Sequence, residues 1–114
     1  QNGNSQDPQT KEEIIADKFA QLRGQSISAY GAQKEYGIHH SNFINWARAG
    51  YIKTLQEGQR ALKLDSADVA YCAYIYEQKK NEYGGSVAGV RLFDDEGNPY
   101  QVKYPELSTR RRNT

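Results

Sequence analysis

The chain has 114 residues, with 15 basic and 14 acidic side chains and a single cysteine. This length fits one domain with appendages, and the nearly balanced charges exclude a histone-like protein with a global basic excess. Cys72 cannot form an internal disulfide, and no apolar run is long enough to span a bilayer. We therefore expect a cytoplasmic protein with no signal peptide and no membrane partner.

The first predicted element is a helix that follows a polar segment. Residues 1–9 are rich in Gln, Asn, Ser, Gly and Pro, a composition that predicts disorder. Thr10 and Glu13 have the spacing of a capping box at a helix start, and Gly24 is the predicted end. The apolar face of this helix consists of residues at helical spacing, namely Ile14, Ile15, Phe19 and Leu22.

Two short helices with a sharp turn between them are predicted from Ser28 to Gly50. Ser28 is the expected N-cap of the first helix. Gly37 supplies the positive φ that the turn needs, and Ile38 fills the space between the helices. Each helix has an apolar face at helical spacing, formed by Ala29, Ala32 and Tyr36 in the first and by Phe43, Trp46 and Ala47 in the second.

The second of these helices, over residues 40–49, has a polar face opposite its apolar one. That face consists of residues at offsets of three, four and seven, namely Ser41, Ile44, Asn45 and Arg48. A helix that buries one face and exposes hydrogen-bonding side chains on the other is typical of a DNA-reading helix. Residues 24–64 carry five basic and two acidic side chains, and this local excess is consistent with a phosphate contact surface.

The next segment changes from helical to strand periodicity. Residues 51–56 and 61–64 are predicted as two short strands with a turn at Gly58, where winged-helix proteins have their wing. Asp65 or Ser66 then caps a further helix. Its expected buried face is formed by Val69, Cys72, Ala73 and Tyr76.

The C-terminal part is predicted to form a second hairpin. Apolar and polar residues alternate on both sides of the turn at residues 94–99, with apolar positions at Val90, Leu92, Tyr100, Val102 and Tyr104. Because an isolated hairpin needs a surface to pack on, this hairpin is a candidate for self-association; covering an edge strand of the same chain is the alternative.

These elements predict an α+β, mostly α, winged helix-turn-helix fold with an N-terminal helix and a C-terminal β-hairpin. The expected boundaries are a disordered segment at 1–9, the DNA-binding domain at 10–83, the hairpin at 84–107 and a basic tail at 108–114.

An ordered set of Gly, aliphatic, polar and aromatic residues runs from Ile27 to Val69, comprising Ala32, Gly37, Ile38, Ser41, Phe43, Trp46, Gly50, Tyr51, Ile52, Gly58 and Leu64 to Val69. This segment, a little over a third of the chain, resembles the winged helix-turn-helix of the MerR and excisionase superfamily. The resemblance implies sequence-selective binding of double-stranded DNA in gene control or recombination. Because the long dimerising helix and effector domain of MerR regulators do not follow, it implies a short, excisionase-type binder without a small-molecule effector.

The expected DNA contacts centre on the second helix of the pair. Asn45 can read adenine, Arg48 can bind guanine or phosphate, and Ile44 suits a thymine methyl. Residues at the start of this helix are expected near backbone or bases, namely His39, His40, Ser41 and Asn42. Backbone or minor-groove contacts are expected from Tyr51, Lys53, Gln59 and Arg60, and salt-sensitive affinity from the tail residues Arg110, Arg111 and Arg112. The alternatives are solvated helix residues at Asn45 and Arg48 and a covering partner helix at Ile44.

Other classes of function have less support in the sequence. His39 and His40 are adjacent, hence poorly placed to chelate one metal ion, and no nucleophile, base or carboxylate pair has catalytic spacing. We expect no enzyme activity and no cofactor. Because one small module contacts few base pairs, a homodimer or a cooperative array is expected. The alternative is a protein–protein adaptor that uses Ile44, Phe93 and the tyrosines. RNA binding has less support, because no triplet of exposed aromatic residues on a sheet is evident.

Overall fold

The computed structural model describes residues 9–56 and 62–101, and these residues form a mostly helical α+β fold. Four α-helices and a three-stranded antiparallel sheet follow one another along the chain as α1 (Lys11–Ile14), β1 (Ser26–Ile27), α2 (Ala29–Tyr36), α3 (His40–Arg48), β2 (Thr54–Gln56), β3 (Lys63–Asp65) and α4 (Ser66–Glu82). Of the segment 1–9 that is predicted to be disordered, residues 1–8 lie outside the described residues.

Helix α1 begins with the predicted capping box and then departs from regular α geometry. The Glu13 N–H donates to Thr10 Oγ1 at 3.2 Å, and the Thr10 N–H donates to Glu13 Oε1 at 3.0 Å. After α1 the chain continues as a π-helical turn over Ile15–Phe19 and a 3-10 turn over Ala20–Leu22. The predicted helical run and its end at Gly24, which has φ of 89°, are therefore confirmed, whereas the turns within the run change from α to π and 3-10 geometry. The wider turn accompanies the burial of two consecutive residues, Ile14 and Ile15.

Helix α2 has the predicted cap, and the predicted turn separates it from α3. Ser28 Oγ accepts a hydrogen bond from the Gly31 N–H at 3.0 Å and so caps α2. Gly37 ends that helix with φ of 74°, a left-handed conformation that favours glycine. Ile38 follows and is buried between the helices. The turn therefore positions α3 through local backbone chemistry that the sequence predicts.

The sheet is small and has the order β1-β3-β2. Leu64 pairs with Ile27 on one side and with Thr54 on the other. Strand β2 is shorter than predicted, because the Tyr51 N–H donates to the Trp46 carbonyl at 2.9 Å and thereby belongs to the turn that ends α3. Strand β3 ends at Asp65, one residue beyond its predicted end. Strand β1 has only two residues, too few for a periodicity to predict it. The turn predicted at Gly58 lies outside the described residues.

Helix α4 is the centre of the hydrophobic core. Asp65 caps it, with Oδ1 accepting from the Ala67 N–H at 2.9 Å. The predicted buried face is too narrow, because every residue from 67 to 73 is buried, whereas Tyr76 is only partly buried. The reason is that the turns after α1, helix α3 and the C-terminal segment all pack around this helix.

The C-terminal segment has the predicted turn and lacks the predicted strands. The Asp94 N–H donates to the Asn98 carbonyl at 2.9 Å, and the Tyr100 N–H donates to the Leu92 carbonyl at 3.0 Å. Between residues 84 and 101, however, the pairing amounts to one isolated bridge, Phe93 with Pro99. The strand positions Val102 and Tyr104 and the basic tail lie outside the described residues.

Phe93 fastens this segment to the core. Its side chain is 3% exposed and lies against the rings of Trp46, Tyr51 and Tyr71, with centroid distances of 5.8, 5.0 and 5.7 Å. The Tyr71 hydroxyl also donates to the Gly97 carbonyl at 2.6 Å. The prediction that Phe93 is available to a protein partner is therefore wrong, because the same chain covers it.

Among the residues that the structure describes, no helix combines the length and the apolar character needed to cross a bilayer.

Candidate nucleic-acid interface

Helix α3 is anchored by one face and open on the other, as its residue pattern predicts. Phe43 and Trp46 point into the core, and their rings meet edge to face with a centroid distance of 5.3 Å. Asn45 and Arg48 are exposed. Within the described residues, neither of these two side chains has a hydrogen-bond or ion-pair partner. Their polar groups are therefore open to a ligand.

The start of α3 is built from the two histidines and a serine. His39 Nδ1 accepts a hydrogen bond from the Ser41 N–H at 3.2 Å and lies 2.9 Å from Ser41 Oγ, so this imidazole caps the helix. His40 is held differently: Gln33 Oε1 accepts from its backbone N–H at 2.7 Å and lies 2.8 Å from its Nδ1. These contacts fix both rings at the edge of the open face of α3.

A groove lies between α3 and the β2–β3 pair. It has a volume of about 670 Å³, and its apolar lining includes Ile44, Ile52 and Leu62. Arg48 and Lys53 line the same groove. Ile44 is half-buried and packs against the core, so its side chain is shared between the interior and this surface. The groove thus brings together three predicted contact residues, Ile44, Arg48 and Lys53.

Asn42 and Tyr51 lie on the other flank of α3. Both line a second groove, of about 440 Å³, together with Trp46 and residues of the C-terminal segment. The Tyr51 ring packs on Phe93, and its carbonyl accepts a hydrogen bond from Lys11 Nζ. The structure therefore separates these two residues from the groove that contains Arg48 and Lys53.

The backbone of Lys53 is held by two buried carboxylate residues at the start of α4. The Lys53 N–H donates to Asp68 Oδ2 at 2.7 Å, and the Lys53 carbonyl accepts from the Asp65 N–H at 2.9 Å. The side chain of Lys53 is exposed. A backbone held in this way, with an exposed ammonium group on a long side chain, is a suitable arrangement for binding a phosphate.

A network of charges surrounds these carboxylates. Arg23 Nη1 lies 3.0 Å from Asp68 Oδ1 and 3.4 Å from Asp65 Oδ2, and Lys11 Nζ lies 3.5 Å from Asp68 Oδ1. Burial alone would lower the pKa of Arg23, but the charge of Asp68, the hydrogen bond to Asp68 and the charges of Asp65 and Glu12 together outweigh burial and raise this pKa. Asp65 and Asp68 are each 1% exposed, so the network is structural and not a second binding surface.

Sequence reasoning identified Asp65 as a cap and missed the partners of Asp68. Arg23 lies 45 positions before Asp68 in the chain, and nothing local links them. The available signal was the pair of acidic residues three apart at the start of α4, with apolar neighbours at Leu64, Ala67 and Val69.

The wing-tip candidates Gln59 and Arg60 and the tail residues Arg110, Arg111 and Arg112 lie outside the described residues. Within the described ranges, no three His, Cys, Asp or Glu side chains are grouped so that they could hold a metal ion.

No protein-family model, curated protein sequence or solved structure matches this chain.

Proposed function

We propose that this protein binds double-stranded DNA in a sequence-selective manner, with α3 in the major groove and α2, α3 and the β2–β3 pair acting as a winged helix-turn-helix. The observation that carries the proposal is the open face of α3. Asn45 and Arg48 are exposed there without partners among the described residues, while Trp46 anchors the opposite face. Such a helix can enter a groove about 12 Å wide without losing its own packing.

The chemistry of the exposed groups supports this proposal. The Asn45 amide can form two hydrogen bonds with adenine, and the Arg48 guanidinium can form two with guanine. Lys53 supplies a positive charge at the groove beside α3, where a phosphate strand would pass. The resemblance of this segment to MerR and excisionase proteins agrees with such a role, in transcription regulation or as an accessory factor in recombination.

The experiment selects binding sites from a random duplex pool and then compares variants on the selected duplex by fluorescence anisotropy. Replacing Asn45 and Arg48 together by alanine should weaken binding at least about tenfold and relax sequence preference, because each bidentate base contact contributes about 1–3 kcal/mol. The matched control is Lys80→Ala with Asn81→Ala, which removes a basic residue and an asparagine from α4. Equal affinities of the α3 variant and the parent would exclude α3 from the interface.

The number of protein copies on the site is tested by the same selection. We propose that two or more copies bind together, because a single module of this size contacts few base pairs. Selected sites with two half-sites in symmetric or direct repeat would support this, and a single short unrepeated site would contradict it.

An adaptor function is favoured by one observation, the apolar lining of the groove that contains Ile44, Ile52 and Leu62. A protein partner could insert apolar side chains there. The two functions differ in their response to salt. Duplex binding weakens steeply as salt rises because counterions are released from phosphates, whereas an apolar protein contact does not.

A further inference from the structure

An aromatic stack extends the open face of α3 towards α2. Tyr30, in the first turn of α2, is 67% exposed. Its ring stacks on His40 with a centroid distance of 4.1 Å and an interplanar angle of 28°, and the His39 ring lies 4.2 Å from His40. Three rings thus form a continuous column, which we call the Tyr30 stack, consisting of Tyr30, His40 and His39.

Hydrogen bonds within the protein hold two rings of the Tyr30 stack in place. His40 is fixed by its two contacts with Gln33 Oε1, and His39 by its contacts with Ser41. An exposed tyrosine normally loses rotamer freedom on binding, at a cost in affinity. Stacking on a fixed imidazole removes much of that cost, because the Tyr30 ring is already ordered before a ligand arrives.

The polar group that Tyr30 presents is free. Within the described residues its hydroxyl has no hydrogen-bond partner, in contrast to Tyr71, whose hydroxyl is used inside the protein. A phenol hydroxyl is a neutral donor that can bind a phosphate oxygen. The stack therefore offers a preorganised donor on α2, beside the face of α3 that carries the exposed Asn45 and Arg48.

We infer that Tyr30 contacts the phosphodiester backbone of the bound duplex. This inference rests on the proposed function. In helix-turn-helix docking, the first helix crosses the DNA backbone next to the groove that the second helix enters. Tyr30 is the exposed aromatic residue of α2 and touches the start of α3, so it meets the backbone there.

The Tyr30 contact and the Lys53 contact are on different phosphates. Lys53 lines the same groove as Arg48, and His40, on which Tyr30 stacks, is eight residues before Arg48 on α3, which corresponds to about 12 Å along the helix axis. Backbone contacts of the Tyr30 stack and of Lys53 should therefore appear as two separate clusters of phosphates. This separation allows each contact to be tested without the other.

The test compares Tyr30→Phe with the parent on the selected duplex and on a duplex of scrambled sequence. The substitution keeps the ring and its stack and removes only the hydroxyl. We expect affinity to fall about 2- to 10-fold, the amount that corresponds to one hydrogen bond, and to fall equally on both duplexes. The slope of log affinity against log salt should not change, because no charge is lost, whereas Lys53→Ala should reduce its magnitude by about 0.9.

Phosphate ethylation interference locates the contact. In the parent we expect two clusters of interfering phosphates, and Tyr30→Phe should abolish interference in one of them while Lys53→Ala affects the other. The control is Tyr83→Phe, because Tyr83 lies at the C-cap of α4. This variant should have the affinity and the interference pattern of the parent.

The outcomes separate this inference from the function on which it rests. A parent that binds no duplex overturns both. A parent that binds and is weakened by Arg48→Ala, with Tyr30→Phe unchanged in affinity and in interference pattern, overturns the Tyr30 contact alone. A loss confined to the selected duplex would also overturn it, because that result indicates a base contact and not a backbone contact.

Discussion

Asp68 and Lys53 are joined by a hydrogen bond of 2.7 Å from the Lys53 backbone N–H to the Asp68 carboxylate. The other oxygen of that carboxylate is bound by Arg23 at 3.0 Å. Asp68 therefore connects the first turn of α4 with the segment that leaves α3 and with the turn that follows α1. A single buried side chain thus helps to fix the backbone that carries Lys53, the lysine proposed to bind a phosphate.

Replacing Asp68 by alanine should destabilise the protein by about 2–4 kcal/mol, because it leaves the Lys53 N–H and the Lys11 ammonium without their buried partner. The expected loss of unfolding free energy is below the upper end of the range for buried ion pairs. Arg23 is one-third exposed, so water can replace part of its interaction with Asp68. Urea unfolding followed by circular dichroism measures the change. The control is Asp17→Ala, because Asp17 is exposed. Surface substitutions usually change the free energy of unfolding by no more than about 0.5 kcal/mol, so an Asp68→Ala value within that range of the control would contradict the structural role of Asp68.

Phe93 should behave as a core residue although it lies in a segment with little regular structure. Truncation to alanine removes the ring that packs on Trp46, Tyr51 and Tyr71 and should cost about 3–5 kcal/mol of unfolding free energy. The control is Leu55→Ala, because Leu55 is exposed. Equal stabilities of the two variants would show that the C-terminal segment does not cover the core.

Gly37 is the residue whose backbone conformation sets the turn before α3. Its φ of 74° is left-handed, and a Cβ there would meet no neighbouring atom within 4 Å. Gly37→Ala should therefore cost about 1–2 kcal/mol through backbone strain alone, with no steric clash to relieve. Gly37→Asn should cost less, because asparagine tolerates this region better. Thermal unfolding of both variants tests the order, and a Gly37→Ala protein as stable as the parent would contradict it.

The features that sequence predicted correctly are those fixed by short-range chemistry. The caps at Thr10, Ser28 and Asp65 each depend on residues within three positions, and the turn at Gly37 depends on one backbone angle. The two faces of α3 were also predictable, since helical spacing alone separates Trp46 from its exposed neighbours.

The features that sequence missed depend on long-range packing. The alternation around residues 94–99 predicts two paired strands. In the structure Phe93 packs into an aromatic cluster formed by residues more than twenty positions away in the chain. The backbone pairing in this segment is limited to the bridge between Phe93 and Pro99. Arg23 and Asp68 likewise meet across 45 positions. The Tyr30 stack was not predictable either, because it requires the angle between α2 and α3 that the turn creates.

The free energy of unfolding at alkaline pH should depend on the ionisation of Cys72. Burial raises the pKa of the Cys72 thiol well above its ordinary value, whereas in the unfolded chain the thiol titrates near pH 8.5. Above that pH the unfolded state loses a proton that the folded state keeps, so the unfolded state is favoured. The free energy of unfolding should fall as pH rises, by up to about 1.4 kcal/mol per pH unit from this group. Below about pH 7 the thiol is protonated in both states and contributes no pH dependence.

Cys72→Ala should remove this loss, and the comparison is made by urea unfolding of both proteins between pH 7.5 and 9.5, a window chosen to bracket the thiol's ordinary pKa of about 8.5. Burial also raises the pKa of Tyr71, but its effect begins only near pH 10, the ordinary value for tyrosine, and so falls above this window. Because the alanine variant leaves a cavity, it should be less stable than the parent at pH 7.5, and the difference should narrow as the pH rises. Parallel stability curves for the two proteins across the window would show that the thiol does not titrate differently on unfolding.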